Sequence, residues 1–396
     1  MRTIPYADLT WPEVAELPRQ LPLLIPLGDE PYDVGAAAHA LRADTVVTLP
    51  PVPYGFPQPG GLGELTAGRG LLRRVLLGIV RELRAQGFTR PVFLDGMGVA
   101  RHVEARGLRL LKTTIQGRPR SDAKRIRVEP RRGSVWPWPA DLSQRVVVIS
   151  TGHTEQHGLH LPLETDTRIV AAIADGLRAA VPERVVCLPA WPYGVSTHTR
   201  QYPGTLNLGG RTFEDFFLAM VGHLVRLGAR CLLFSNGHGG NHSFLVNTVK
   251  WAGERWPQAF IATEWLHTTG PALDEVRQSE MGGMGHACEL ETSMILHLRP
   301  ELVYPERAQR ETDFISTSEY YMDWVEGGRL IANPPWTDDT VTGAYGDPTV
   351  ATADKGRQWL KAAVDEKIGS IDEVLEQQRR RERRRREQAA LPAGGR

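Results

Sequence analysis

The sequence predicts an α/β fold, a mostly parallel sheet with helices on its faces, preceded by a smaller α/β unit. Three observations carry that expectation. Short β-branched or apolar runs at 145–150 and 231–235 each end in a glycine-bearing polar loop, as strands buried on both faces do. Beyond the first loop, Ile169, Val170, Ile173, Ala174 and Leu177 recur at helical spacing. Finally, parts of the amino-terminal third repeat in the remainder of the chain.

In chain order, the first apolar run is 23–27, closed by Gly28. Leu-Pro-Pro-Val-Pro-Tyr-Gly from Leu49 returns as Leu-Pro-Ala-Trp-Pro-Tyr-Gly from Leu188. Phe-Leu-Asp-Gly-Met-Gly from Phe93 returns as Phe-Ser-Asn-Gly-His-Gly from Phe234. Both pairs are separated by about 140 residues, which points to a tandem duplication. The first run matches 147–152 at a shorter offset of about 125 residues, so the first copy has lost much of one loop-and-helix region. Met97 stands where the second copy has His238. Arg131 to Ala140, with Trp136 and Trp138, has the Pro and Gly content of a connector. We therefore expect a degenerate unit at 1–130 that binds no metal, a linker at 131–142, a catalytic unit at 143–370 and a basic, flexible tail at 371–396.

The second unit concentrates chemistry in loops at the carboxyl ends of its predicted strands, where ligands collect in open α/β sheets. The first loop holds Glu155, Gln156, His157 and Gly158, then His160, Leu161, Pro162 and Leu163, then Thr165 and Asp166. The next holds Asn236, Gly237, His238, Gly239, Gly240 and Asn241, its glycines allowing a sharp turn around the imidazole. A third stretch, from Gly285 through His286, Cys288, Glu289 and Glu291 to Ser293, opens a helix. His286 and Glu289, three apart, share a face of its first turn. Carboxylates and imidazoles in one short loop also serve as surface or capping groups, and Asp166 is placed to cap the helix after it. Three such loops in order favour a metal site.

Together these blocks resemble the creatininase family of metal-dependent creatinine amidohydrolases and their relatives. The resemblance covers roughly 140 to 360 and is supported by Tyr202-Pro203-Gly204-Thr205 and Gly346-Asp347-Pro348. It implies a three-layer α/β/α architecture and two divalent metal ions, zinc paired with zinc, manganese or iron. It assigns Glu155 to one ion and His157 to the other, with Asp166 bridging and His238 completing the first shell. It makes His286 the proton shuttle. In creatininase proper a carboxylate two residues beyond the His238 equivalent binds the second ion, and here that position is Gly240. Glu289 is expected to replace it as ligand and catalytic carboxylate, with Glu291 in reserve.

The implied reaction is hydrolysis of a C–N amide, whether cyclic amide, formamide or short peptide-like bond, by a metal-bridging hydroxide. The alternatives are ring-opening of a carbohydrate- or inositol-like ketone and, from another class, a non-catalytic metal-binding scaffold. Ser196, His198, Gly239 and Cys288 are candidate substrate contacts, Cys288 being alternatively a small residue buried at a tight turn. His160 is expected to support the ligands, and His153 and His242 are not fixed by the motifs.

Composition sets the remaining bounds. A formal net charge of +1 on 396 residues, 41% of them hydrophobic, gives no global pull toward nucleic acid or membrane and suffices for large cores. No stretch reaches the ~18 apolar residues of a span, and three cysteines do not suggest a disulfide framework. These features and the resemblance lead us to expect a cytoplasmic homo-oligomer acting on a small amide or cyclic substrate. The run of arginines and glutamates at 379–387 reads as a solvated helical extension.

Overall fold

The computed structural model describes residues 1–28, 32–56, 65–95, 138–139, 141–265, 271–321, 323 and 329–390. Most of the expected linker, with Trp136, and also Met97 lie outside them. The first unit holds β1 (Arg2–Pro5), α1 (Trp11–Glu16), β2 (Pro22–Pro26), α2 (Val34–Ala40), β3 (Thr45–Thr48), α3 (Arg69–Ala85) and β4 (Arg90–Leu94). Its strands form a parallel sheet in the order β1-β3-β2-β4.

The second unit holds β5 (Val146–Thr151), α4 (Thr165–Ala180), β6 (Val185–Cys187), α5 (Gly210–Arg226), β7 (Cys231–Asn236), α6 (His242–Arg255) and β8 (Phe260–Trp265). It continues through α7 (Pro271–Val276), β9 (Met284–His286), α8 (Glu289–Leu298), β10 (Tyr345–Gly346) and α9 (Ala353–Ala389). Strands β5 to β8 form a second parallel sheet in the order β6-β5-β7-β8, and β9 pairs antiparallel with β10.

Every residue of β5 and β7 is buried, so both sheet faces are covered and the strands read as continuous apolar runs. Val146, Val148, Cys231 and Leu233 pack with Ile169 and Ile173 of α4, Leu290 of α8 and Trp359 of α9. On the opposite face Val147, Ile149, Leu232 and Phe234 meet Phe213, Phe216 and Phe217 of α5. That core continues into the first unit through Leu72, Val75, Leu76 and Ile79 of α3 to Leu23, Ile25 and Val47. The helices α3 and α5 therefore lie between the two sheets. Each fully buried Phe or Leu there is worth about 1.5–3 kcal/mol, enough that the first unit is packed on the second rather than tethered to it. Gly55, at φ 107°, closes the seam, since a Cβ there would lie 2.5 Å from the Phe216 ring.

Three strands of each sheet correspond, β3-β2-β4 to β6-β5-β7, while β1 and β8 lie on opposite edges. Pro22↔Arg90 through Pro26↔Leu94 in β2 and β4 correspond to Val146↔Cys231 through Ser150↔Ser235 in β5 and β7. Leu23↔Val47 corresponds to Val147↔Val186. The isolated bridge Leu27↔Val52 corresponds to Thr151↔Trp191, and α3 and α5 each have 17 residues and a positive-φ glycine at the N-cap.

At the carboxyl end α9 does not break at 370. Ile371, Val374 and Gln378 are buried, so the expected tail boundary falls inside a packed helix. Beyond it the side chains are mostly exposed, although Arg381 lies over the Phe260 ring at 4.9 Å and Arg385 bonds the Pro257 carbonyl. Among the described residues no helix is long and apolar enough to cross a membrane.

Candidate metal centre

The loop after β5, the loop after β7 and the start of α8 converge on one buried cluster. Glu155 and His157 come from the first, Asp166 from the first turn of α4, His238 from the second, His286 from the end of β9 and Glu291 from the third. All are buried.

Hydrogen-bond partners fix the face each imidazole turns to the cluster. His238 Nε2 lies 3.0 Å from the Val195 carbonyl oxygen, which only accepts, so that nitrogen donates. Its Nδ1 faces Glu155 Oε1 at 3.0 Å and Asp166 Oδ2 at 3.1 Å. His157 donates from Nδ1 to the Glu155 carbonyl at 3.1 Å. Its Nε2 faces Asp166 Oδ1 at 3.0 Å and Glu291 Oε2 at 3.9 Å. His286 donates from Nε2 to the Gln156 carbonyl at 2.8 Å and turns Nδ1 toward Glu155 Oε1, 3.7 Å away. In their neutral forms these rings aim lone pairs at carboxylate oxygens. That is repulsive unless a proton or cation lies between. Glu155 Oε1 and Asp166 Oδ2 are moreover buried without a hydrogen-bond partner. The donor atoms fall into groups that could hold a cation, His153 with Glu155 and His238, Glu155 with His157 and His286, and His157 with Asp166 and Glu291.

The ionisation equilibria reflect the same crowding. Burial opposes charge on His157, but Asp166 overrides it and raises the ring to about 9. Against the same burial penalty Glu155 holds His238 well above its usual range, and His238 holds Glu155 well below. Burial pushes Glu291 up to about 8 even with His157 beside it. Burial and the neighbouring His157 hold His286 down at about 3, so the ring is uncharged near pH 7.

Local backbone makes the arrangement possible. Ala287 sits at φ 48°, a left-handed conformation costly for a residue with a Cβ. It turns its N–H onto Glu291 Oε2 at 2.5 Å. At Gly240 a Cβ would stand 2.0 Å from the Val195 oxygen and 2.6 Å from His238 Nε2, so no side chain enters there.

Glu289 is not brought to the cluster. Its carboxylate takes the Gln278 N–H at 3.0 Å, the Ser279 N–H at 2.8 Å and Lys355 Nζ at 2.6 Å. The carboxylate of α8 that faces His157 is that of Glu291, two residues on. Ser196 Oγ is buried 2.6 Å from Thr199 Oγ1, which donates to Glu155 Oε2 at 2.8 Å, so Ser196 stands behind Glu155. Cys288 is fully buried in the core beside α8. His198 is half-buried and Gly239 exposed, His198 4.5 Å from Trp336 and 6.2 Å from His238 between ring centroids. His160 is buried with Nε2 2.9 Å from Thr292 Oγ1.

Sequence reasoning left His153 unassigned, and did not pick out Thr199 or Trp336. The His153 ring stands 4.6 Å from that of His238. Its Nδ1 accepts the Gly194 N–H at 2.8 Å, and its Nε2 is buried without a partner. Only its position two residues before Glu155 signals it. Trp336 contacts His286 at 5.0 Å and roofs the site from a segment with no motif of its own.

A parallel-sheet α/β unit with histidines and carboxylates converging beyond its strand ends forms a candidate metal site. The chain belongs to the creatininase family, whose model, described as creatinine amidohydrolase, matches residues 135–371. It is 32% identical over 270 residues to a mycofactocin precursor peptide peptidase of Mycobacterium tuberculosis, covering 64% of this chain and 95% of that protein. It is 26% identical over 250 residues to a 3-dehydro-scyllo-inosose hydrolase of Thermotoga maritima, covering 59% and 78%. A solved structure of a mutant creatininase complexed with creatine, 20% identical, aligns with a TM-score of 0.50 over 59% of this chain and 92% of that one, which bears on the fold alone.

Proposed function

We propose that the protein is a binuclear metal-dependent amidohydrolase that cleaves a peptide-like C–N bond. The observation that carries this reading is the pair of imidazole nitrogens, His238 Nδ1 and His157 Nε2, each held against two carboxylate oxygens with Asp166 shared between them. In it Glu155, Asp166 and His238 would hold the first ion and His157, Asp166 and Glu291 the second. Two divalent cations of the zinc, manganese or iron type supply a nucleophilic water at neutral pH and polarise the scissile carbonyl when bound.

The chain's own groups do the rest. His286, fixed by its bond to the Gln156 carbonyl, accepts the nucleophile's proton at Nδ1 and returns it to the departing nitrogen. Gln156 donates from Nε2 to the Gly343 carbonyl at 2.7 Å, while the Trp336 ring packs edge-on against His286. A peptide-like substrate is favoured because relatives at 30–32% identity are named precursor peptide peptidases.

The test is metal content per chain by elemental mass spectrometry, followed by a panel of peptides and lactams. The native protein should carry about two ions, and His238→Ala one or none. Release of a new amine should accompany turnover. Ring-opening of a ketone without amine release would shift the reading to the inosose hydrolase type. Full metal without turnover on either panel would leave a scaffold.

A further inference from the structure

The first unit brings no ligand to the cluster among its described residues, yet it is bonded to the β5–α4 loop and to two segments that flank the cluster. The β5–α4 loop is held where Leu163 donates to the Leu9 carbonyl at 2.9 Å and Glu164 to that of Ala7 at 3.2 Å. The roof segment is held where Trp11 Nε1 donates to the Thr342 carbonyl at 2.8 Å. Arg200, in the loop carrying Thr199, makes a two-pronged pair with the buried Glu82 of α3, at 3.0 and 2.8 Å. Gln86, following α3, donates to the Thr205 carbonyl at 2.9 Å and accepts the Gly204 N–H at 2.8 Å. Thr205 Oγ1 in turn accepts the Gln156 N–H at 3.2 Å and lies 3.4 Å from Thr199 Oγ1, the donor to Glu155.

The contact between the units also has a symmetry. Under the offset that carries α3 onto α5, Arg74 falls on Asp215, and these two side chains pair with each other at 2.5 Å. Gly78 packs on Leu208, and their counterparts Ala219 and Ala67 line one groove. A contact in which equivalent positions face one another is that of a twofold dimer.

We propose that residues 1–95 are a second copy of the catalytic framework, stripped of metal ligands and docked as a built-in partner subunit. Through Gln86 and Glu82 they act as positioning residues for Glu155 and its loop. The proposal rests on the metal-centre reading for what is positioned, but not for the positioning itself.

The experiment therefore has two readouts on the full chain. In Gln86→Leu, both bonds to the 204–205 turn are lost while the side chain's bulk is kept. Hydrogen exchange should quicken about tenfold in peptides covering 154–166 and 198–208 with strands β5 and β7 unchanged, as a local opening does. Zinc affinity, from competition with a chromophoric chelator, should weaken about tenfold. Gln86→Glu, which keeps the acceptor for Gly204, should fall between Gln86→Leu and the native protein. Arg74→Ala, an exposed pair, should change neither readout. Unchanged exchange in both segments, or a uniform rise across the molecule, overturns the proposal. Should Gln86→Leu be too unstable to purify, Glu82→Gln takes its place with the same outcomes. If the native protein binds no zinc, the metal reading fails and exchange alone decides the positioning.

Discussion

At the scale of single residues, Glu289 and Glu291 look interchangeable in sequence and are not in space. Glu291→Gln should cost the second ion while leaving the first, which metal analysis reads as about one ion per chain. Glu289→Gln should keep its metal but lose about 3 kcal/mol of stability, because it weakens the partner of the mostly buried Lys355 ammonium. Denaturant unfolding checks the second. The sequence named both carboxylates but not their directions. Position along α8 puts either near the helix start, and only the backbone turn at Ala287 decides which faces His157.

The pH dependence also belongs to residues. In the metal-free protein His157 at about 9 and Glu291 at about 8 both bind protons in the folded state that they release when unfolded at ordinary values. Raised folded values mean stability present at lower pH and lost as pH rises. Between pH 6.5 and 9 metal-free stability should therefore fall. The lowered histidines, at about 3 for His153 and His286 and about 4 for His198, act below that window, with stability rising toward pH 6.5. Since cations compete with those same protons, the rise in melting temperature on adding zinc should grow over the same interval. Melts at pH 6.5 and 9 with chelator or metal would show it, and a metal-free melting point that climbs with pH would contradict the assignment.

At the scale of elements, most of the catalytic frame was legible. The runs at 145–150 and 231–235 became β5 and β7, buried throughout because both faces are covered, and the apolar stripe after Asp166 became α4. The helical extension at 379–387 was legible too, but not that it continues α9, whose buried Trp359 and Val374 are spaced by charged residues. Gly240 carries the element-scale prediction. Gly240→Ala places a methyl against the Val195 oxygen, and relieving that contact should cost about 1–3 kcal/mol and loosen His238. Lower metal occupancy with an otherwise native circular dichroism spectrum is the expected result.

At the scale of the molecule, the sequence suggests a repeat only where turns demand particular residues, at the Pro-Tyr-Gly and Phe-x-x-Gly segments. The strands themselves share little beyond being apolar, since any β-branched or aliphatic residue fills such a slot, yet their hydrogen-bond registers coincide. The tail predicts little loss. Truncation after Gln378 removes mainly exposed arginine–glutamate pairs and should change stability by no more than about 1 kcal/mol, measured by thermal melting.

The seam through Arg74 and Asp215 has one more consequence. Two subunits that meet at such a contact part on dilution, because their encounter is governed by mass action. Here both sides belong to one chain, and the join is unimolecular. Its closure carries no dependence on how much protein is present, and a centre whose loops lean on that seam stays assembled at concentrations where a two-chain version would fall apart.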